Sequence, residues 1–144
     1  MARTFNAKTA VIGHDISLAT PKIYQALVNG LIDQGVDVTD IGIAGTDVVY
    51  FASGHFNFDI GLEVTASHSA GHLSGIKILG PGATAFGRGF GMEKLKQDFL
   101  DYEEVAPKKK GKIIKKDIWQ DFINQALAFV DVNKIKPMKI VVND

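Results

Sequence analysis

The 144-residue sequence predicts an α/β fold in which a mixed, mostly parallel sheet is flanked by helices. Three observations lead to this prediction. Short apolar runs alternate with amphipathic segments of helical periodicity. Glycines follow several of these segments, where strands and helices commonly end. The last two apolar runs of the first half are joined by a polar loop and not by a helix, so we expect those two strands to run antiparallel.

The first half of the chain alternates predicted strands and helices. Thr20-Pro21 is typical of a helix start, and the apolar residues that follow at helical spacing continue to Gly35. Thr46 has the residue type of a second helix cap. The predicted elements are a strand at 9–12, a helix at 20–35, a strand at 36–41, a helix at 46–54 and strands at 59–64 and 76–79.

The second half predicts fewer regular elements. A short helix is predicted over 92–102, an amphipathic helix over 117–130 and a strand over 139–142, and the lysine-rich residues 108–116 have the composition of a solvated linker. We therefore divide the chain into a first domain at 1–106, a linker and helix at 107–136, and the start of a second domain at 137–144. This division predicts a truncated fold and further domains beyond the sequence.

Composition excludes several classes of function. Sixteen basic residues balance sixteen acidic ones, and the lysine run lacks interleaved aromatic residues, so no nucleic-acid partner is predicted. No cysteine is present, which fits a reducing compartment. The sequence has neither the apolar run of a signal peptide nor a stretch long enough to cross a bilayer. We expect a cytoplasmic protein without a membrane partner.

The loop between the strands at 59–64 and 76–79 holds the candidate chemistry. It contains Thr65, Ser67, His68 and His72, and Lys77 lies on the strand that follows. A serine hydroxyl is a weak nucleophile that needs a base, a metal or a reactive donor. Neighbouring side chains usually point apart, so a direct contact between Ser67 and His68 is not expected. From the residues alone, both a phosphoryl-carrying serine and a plain polar turn stay open.

Other motifs give weaker signals. His68 and His72 have the spacing of a helical metal pair, but Ser69 and Gly71 disfavour a helix, so a zinc site is not favoured. The glycine-rich residues 87–91 meet neither the dinucleotide nor the P-loop pattern, and no nucleotide cofactor is predicted.

The stretch TASHSAGHLSGIK resembles the active-site serine loop of the α-D-phosphohexomutases, the phosphomannomutase/phosphoglucomutase family, whose form is TASHNP followed by NGxK. The likeness extends over the strand–helix–strand segment that begins VIGHDIS and over the tail GKIIKKDIWQDF. The resemblance implies that Ser67 is the phosphoserine, that His68 contacts the transferring group and that Lys77 assists proton transfer. It further implies Mg²⁺ bound to a phosphoryl oxygen on Ser67 and to carboxylates beyond this sequence. The implied substrates are a hexose phosphate and a hexose 1,6-bisphosphate.

The sequence also departs from the family pattern. Ser69-Ala70 stands where the pattern has Asn-Pro, Ser74 replaces the asparagine of NGxK, and GRDxR reads Gly13-His14-Asp15-Ile16-Ser17, without either arginine. Two alternatives therefore stay open: an inactive binding or regulatory module of the same fold, and a serine-dependent sugar phosphatase. Without the remaining domains we expect no turnover, and the exposed edges predict self-association of this chain.

Overall fold

A computed structural model describes residues 1–69, 73–103 and 109–142. Among the described residues, no helix has the length and apolar character that a membrane span requires. Short 3₁₀ turns lie at Pro81–Ala83 and Val132–Lys134. The strands and helices are β1 (Thr9–His14), α1 (Thr20–Asp33), β2 (Asp37–Ile43), α2 (Thr46–His55), β3 (Ile60–Thr65), β4 (Gly75–Gly80), β5 (Thr84–Ala85), α3 (Met92–Leu100), β6 (Ile113–Lys115) and α4 (Trp119–Leu127).

The strands form one mixed sheet in the order β5-β4-β3-β1-β2-β6. The pairs β1–β2, β1–β3 and β2–β6 are parallel, whereas β3–β4 and β4–β5 are antiparallel. This confirms the predicted fold class and the antiparallel pairing of the strands around the serine loop. Because His14 is paired with Val64 at the carboxyl ends of β1 and β3, the loops that follow these two strands leave the sheet side by side.

The sheet is covered by a helix on each face. One core holds Ile12, Leu62 and Val64 together with Val28 and Leu31 of α1. The other core holds the strand residues that point to the opposite face, such as Val11 and Leu79, together with Val48, Val49 and Ala52 of α2 and Ile118. The two cores follow from the alternation of side chains along each strand. β3 is buried along its whole length, and its sequence, IGLEVT, alternates three apolar side chains with Gly61, Glu63 and Thr65.

Both predicted helix caps differ from the observed ones. Ala19 precedes α1 and Gly45 precedes α2, so Thr20 and Thr46 are the first residues inside their helices. The Thr20 hydroxyl donates a hydrogen bond to the Asp15 carboxylate, and the Thr46 hydroxyl donates one to the Glu63 carboxylate, so neither hydroxyl caps its helix. Gly35, which the sequence predicted at the end of the first helix, has a φ of 79°, a conformation that glycine adopts without strain.

Two predictions for the second half of the chain are corrected. The lysine-rich segment contributes β6, which pairs with β2, so residues 113–115 belong to the sheet and are not linker. Residues 139–142 do not form the predicted strand, and the side chains of Val141 and Val142 are 92% and 86% exposed. A β-strand needs a neighbour for its backbone hydrogen bonds, and the described part of the chain provides none for this segment. The helix predicted over 117–130 is shorter and ends at Leu127.

Replacing Gly111 by alanine is expected to detach β6 from the sheet. A Cβ atom at Gly111 would lie 1.9 Å from the backbone oxygen of Val36, which cannot move aside without disturbing β2. Overpacking of this kind typically costs about 1–3 kcal/mol of unfolding free energy. Hydrogen exchange should report it at the Val38 amide, which donates to the Lys112 carbonyl at 2.7 Å.

Gly87→Ala is the matched control for this prediction, because a Cβ atom there would meet nothing within 4 Å. Unchanged exchange at Val38 in Gly111→Ala would show that the β6 segment can shift without loss of pairing.

Candidate functional site

Ser67 lies on a tight turn immediately after β3. The turn is closed by the Ser69 amide, which donates to the Ala66 carbonyl at 2.9 Å, and the Ser67 amide donates to Thr65 Oγ1 at 2.8 Å. Ser67 has a φ of 54°, a left-handed conformation that costs a non-glycine residue about 1–3 kcal/mol. Ala66 is buried whereas Ser67 is exposed. A rigid strand therefore ends in a strained turn that presents one hydroxyl to solvent.

The side chains of Ser67 and His68 contact each other. Ser67 Oγ lies 3.1 Å from His68 Nδ1, within hydrogen-bonding distance. The expectation that these neighbouring side chains point apart is therefore wrong. The contact arises because Ser67 has a positive φ, which turns the backbone so that both side chains emerge on the same side of the turn. The imidazole can accept a proton from the hydroxyl or donate a hydrogen bond to an oxygen attached there.

The Asp15 carboxylate anchors this turn to the start of α1. It accepts four hydrogen bonds: from the amide and the hydroxyl of Ser17, from the Thr20 hydroxyl, and from the Ala66 amide at 2.7 Å. The Asp15 amide in turn donates to the Val64 carbonyl at 3.0 Å. Asp15 therefore holds the residue before Ser67 in place.

These hydrogen bonds also control the charge of Asp15. Partial burial would raise the pKa of the carboxyl, but the donors of Thr20, Ser17 and Ala66 outweigh burial and hold the pKa of Asp15 well below its usual range. The carboxylate is therefore ionised at neutral pH and acts as an acceptor.

Asp15→Asn is expected to loosen the Ser67 turn. The amide oxygen can replace Oδ1, but the new NH₂ group would face the Ala66 amide, which loses its acceptor. A hydrogen bond to a charged group contributes about 1.5–3 kcal/mol, so we expect a loss of that size in unfolding free energy. Hydrogen exchange at Ala66 should become faster. Unchanged exchange at Ala66 would contradict the anchoring role.

Asp59→Asn is the matched control, because Asp59 also accepts several hydrogen bonds but lies at the other end of β1. Its donors, Lys8 and Thr9, all converge on Oδ2, which the amide oxygen can replace. We expect a smaller loss of stability and no effect on the Ser67 turn.

The contribution of Asp15 to stability should depend on pH. Its folded-state pKa is lower than the unfolded value of about 3.9. The stabilisation is therefore fully present above that value and is lost as the pH falls toward the folded-state pKa. The difference in unfolding free energy between the wild-type chain and Asp15→Asn should consequently shrink between pH 7 and pH 3.

Lys77 lies on β4, in register with Glu63 of β3. Its Nζ atom donates to Thr46 Oγ1 at 2.6 Å and lies 3.5 Å from Glu63 Oε2. The Lys77 side chain is 41% exposed, so the ammonium lies at the boundary between protein and solvent. Ser67 and His68 are thus brought into contact, and Lys77 is held on β4, beside the strand that leads into their turn.

The positions that lack the family's arginines line a small groove next to the turn. His14 and Ser17 border a cavity of about 320 Å³ together with Tyr24. His14 Nδ1 lies 2.8 Å from the Asp15 carbonyl, and its ring packs edge-on against Tyr24 at 5.0 Å. Burial, and then a hydrogen bond to Asp40, raise the pKa of the Tyr24 hydroxyl above its usual value, so it stays neutral.

Other sequence motifs have structural roles or lie outside the described residues. His72, the second histidine of the candidate zinc pair, lies outside the described residues. No group of three or more metal-ligating side chains occurs in residues 1–69, 73–103 and 109–142. In the glycine-rich segment, the Gly89 amide donates to Glu93 Oε1 at 2.9 Å, so Glu93 closes this loop at the start of α3.

Sequence reasoning missed three residues of this site: Asp15, Thr46 and Glu63. Asp15 could have been found, because it is the acidic residue that the GRDxR-like stretch retains. Glu63 is the one charged residue in the sequence of β3, IGLEVT, which is itself a signal. Thr46 gave no signal beyond that of a helix cap.

Comparison with known proteins confirms the family that the sequence resembles. Residues 1–105 match the family model described as phosphoglucomutase/phosphomannomutase, alpha/beta/alpha domain I. A phosphomannomutase of Vibrio cholerae is 36% identical over 141 residues, which are 94% of this chain and 29% of that protein. A phosphoglucomutase/phosphomannomutase of Thermococcus kodakarensis is 33% identical over 133 residues, covering 88% of this chain and 28% of that protein.

Solved structures share the fold. A phosphomannomutase-like protein of Thermus thermophilus superposes with a TM-score of 0.74 at 21% identity, over 92% of this chain and 30% of that one. A phosphoglucomutase/phosphomannomutase family protein of Burkholderia thailandensis gives a TM-score of 0.72 at 24% identity, over 88% of this chain and 30% of that one. This chain thus spans about a third or less of the relatives it matches. From the family-model match and the relatives that are 36% and 33% identical, the chain belongs to the phosphoglucomutase/phosphomannomutase family, and residues 1–105 correspond to its domain I.

Proposed function

We propose that Ser67 carries the phosphoryl group in a phosphohexomutase of which this chain forms the N-terminal part. The observation that carries the proposal is the Ser67 turn: an exposed hydroxyl, on a strained backbone, 3.1 Å from an imidazole nitrogen. Strained backbone conformations cluster at functional sites, where packing holds them in place. A serine that exchanges a phosphoryl group with a sugar has to be both rigid and exposed.

In this proposal the phosphoryl group moves between the 1- and 6-positions of a hexose phosphate. A sugar hydroxyl oxygen attacks the phosphorus on Ser67, the bond between phosphorus and Ser67 Oγ breaks, and a hexose 1,6-bisphosphate forms. The bisphosphate then reverses its orientation in the site, and its other phosphoryl group is transferred to Ser67 Oγ. The reaction requires positioning and neutralisation of charge. His68 contacts the transferring group, and Lys77, as a neutral amine, accepts the proton of the attacking sugar hydroxyl. The leaving Ser67 Oγ takes up a proton from His68 or from water.

Mg²⁺ would neutralise charge on the phosphoryl group when it is bound. The described residues fit only part of such a site. Phosphorylated Ser67 would offer one phosphoryl oxygen, but the nearby Asp15 carboxylate is committed to four hydrogen bonds. We therefore propose that the carboxylates of the site come from other domains of the enzyme.

We also propose that the 144-residue chain has no turnover without those domains, because the relatives are about three times its length. The exposed apolar side chains of α4 and of the segment after it, such as Trp119 and Ile140, would then favour self-association of the isolated chain. A cysteine-free chain that acts on phosphorylated sugars fits the cytoplasm, where we place the reaction.

A coupled assay of hexose-phosphate interconversion tests this function. The complete enzyme should interconvert the 1- and 6-phosphates of glucose or mannose in the presence of a hexose 1,6-bisphosphate, and the isolated chain should not. Release of inorganic phosphate without interconversion would instead indicate a sugar phosphatase. Absence of both, with an intact fold, would indicate a binding or regulatory module. Sedimentation of the isolated chain tests self-association, which a monomer at all concentrations would contradict.

A further inference from the structure

Glu63 is a carboxylate in the middle of a buried strand. Its side chain is 5% exposed, and β3 is buried along its whole length. A buried carboxylate is costly unless it is paired with a cation or satisfied by hydrogen-bond donors. Holding β3 in the sheet does not by itself require a charge here. The residues that satisfy Glu63 therefore indicate what it does.

Two side chains from different elements satisfy Glu63. Thr46, the first residue of α2, donates its hydroxyl to Glu63 Oε2 at 2.7 Å. Lys77 is paired with Glu63 across the antiparallel β3–β4 ladder, and its Nζ lies 3.5 Å from the same oxygen. Lys77 approaches more closely to Thr46, whose Oγ1 accepts from Nζ at 2.6 Å. The three groups form a chain in which Lys77 donates to Thr46 and Thr46 donates to Glu63.

This chain of hydrogen bonds has a fixed direction. The ionised carboxylate can only accept, so the hydroxyl hydrogen of Thr46 is directed at Glu63. The lone pairs of Thr46 are then turned toward Lys77. The ammonium has three N–H donors, and its partial exposure allows those not directed at Thr46 to reach a ligand on the solvent side.

We infer that Glu63, acting through Thr46, is a positioning residue that fixes Lys77 Nζ for proton transfer, in which the neutral amine accepts the proton of a sugar hydroxyl and the ammonium returns it. The inference rests on the proposed function of Lys77. Without these partners the flexible four-carbon stem of Lys77 would sample several rotamers. A misplacement of about 1 Å can cost roughly 10²-fold in rate.

The order of the Lys77 side chain gives a test that needs no catalysis. In the chain labelled with ¹³C-lysine, an immobilised ε-methylene shows two distinct proton shifts, and the Lys77 signal is assigned by its loss in Lys77→Arg. We expect the two shifts to merge in Glu63→Gln and in Thr46→Val but to persist in Thr46→Ser, which keeps the hydroxyl. Glu103→Gln is the control for removal of an exposed carboxylate. If the two ε-methylene proton shifts of Lys77 stayed distinct in Glu63→Gln and in a folded Thr46→Val, the inference would be overturned.

Turnover of the complete enzyme separates positioning from a structural role. Positioning predicts that kcat falls up to about 10²-fold in Glu63→Gln and Thr46→Val, while Thr46→Ser stays near the wild-type rate. If Glu63 and Thr46 only held β4 on β3, the two variants would have a lower unfolding free energy but an unchanged kcat when folded. That result would overturn the inference. If the wild-type enzyme itself had no mutase activity, the proposed function would fail, and the lysine signals would still decide whether Glu63 and Thr46 position Lys77.

Discussion

Ser67→Ala should remove measurable hexose-phosphate interconversion from the complete enzyme. The change deletes the only atom of this side chain that can hold a phosphoryl group. Removal of the nucleophile from a serine hydrolase costs about 10⁶-fold in kcat, and we expect a loss of that order. The fold should persist, because the Ser67 side chain is exposed. The hydrogen bond to Thr65 Oγ1 is donated by the backbone amide of residue 67, which alanine keeps.

Ser69→Ala is the matched control in the same turn. Ser69 is also exposed, and its backbone amide closes the turn on the Ala66 carbonyl. The variant keeps that amide, so it should keep the rate. The measurement is a coupled assay with both variants at equal concentration. Comparable turnover in Ser67→Ala and the wild-type enzyme would show that Ser67 does not carry the phosphoryl group.

Lys77→Met is expected to lower kcat of the complete enzyme by about 10²–10⁴-fold, the usual contribution of general acid–base catalysis. Methionine keeps much of the aliphatic stem but removes the ammonium that Thr46 accepts from. Glu63 then keeps the Thr46 hydroxyl as a donor but loses its cation, so a moderate loss of stability accompanies the loss of rate.

Circular dichroism and urea unfolding, run beside the turnover assay, separate these two effects. Lys94→Met is the control, since Lys94 forms an exposed ion pair with Asp98 on α3 and should affect neither rate nor fold. If Lys77→Met lost stability and kept the wild-type rate, Lys77 would only stabilise the strand pair.

The sheet and its two covering helices were predictable because each depends on local patterns. The alternating apolar residues of β3 and the helical spacing after Pro21 are readable from a short window of sequence. β6 was not predictable, because its three residues are lysine-flanked and exposed, and they become a strand only by pairing with β2. The reverse holds at 139–142, where an apolar run without a neighbouring strand among the described residues stays irregular.

The candidate site also combines features that a local motif predicts with features that only the tertiary fold creates. Ser67, His68 and Lys77 were proposed as site residues from a contiguous motif. The contact between Ser67 and His68 depends on one positive φ angle, which no spacing rule foresees. The partners of Lys77 and of the Ser67 turn are distant in sequence. Thr46 lies 31 residues from Lys77, and Asp15 lies 51 residues from Ala66, so only the tertiary fold brings them together.

We propose that Ser67 exchanges a phosphoryl group with a hexose 1,6-bisphosphate, and mass spectrometry can detect that group on the protein itself. The complete enzyme is incubated with the bisphosphate, its intact mass is measured, and the modified peptide is sequenced. We expect the addition of one phosphoryl group, located on Ser67 and absent from Ser67→Ala. Phosphate on another residue with Ser67 unmodified, or no added mass in an enzyme that interconverts hexose phosphates, would contradict it.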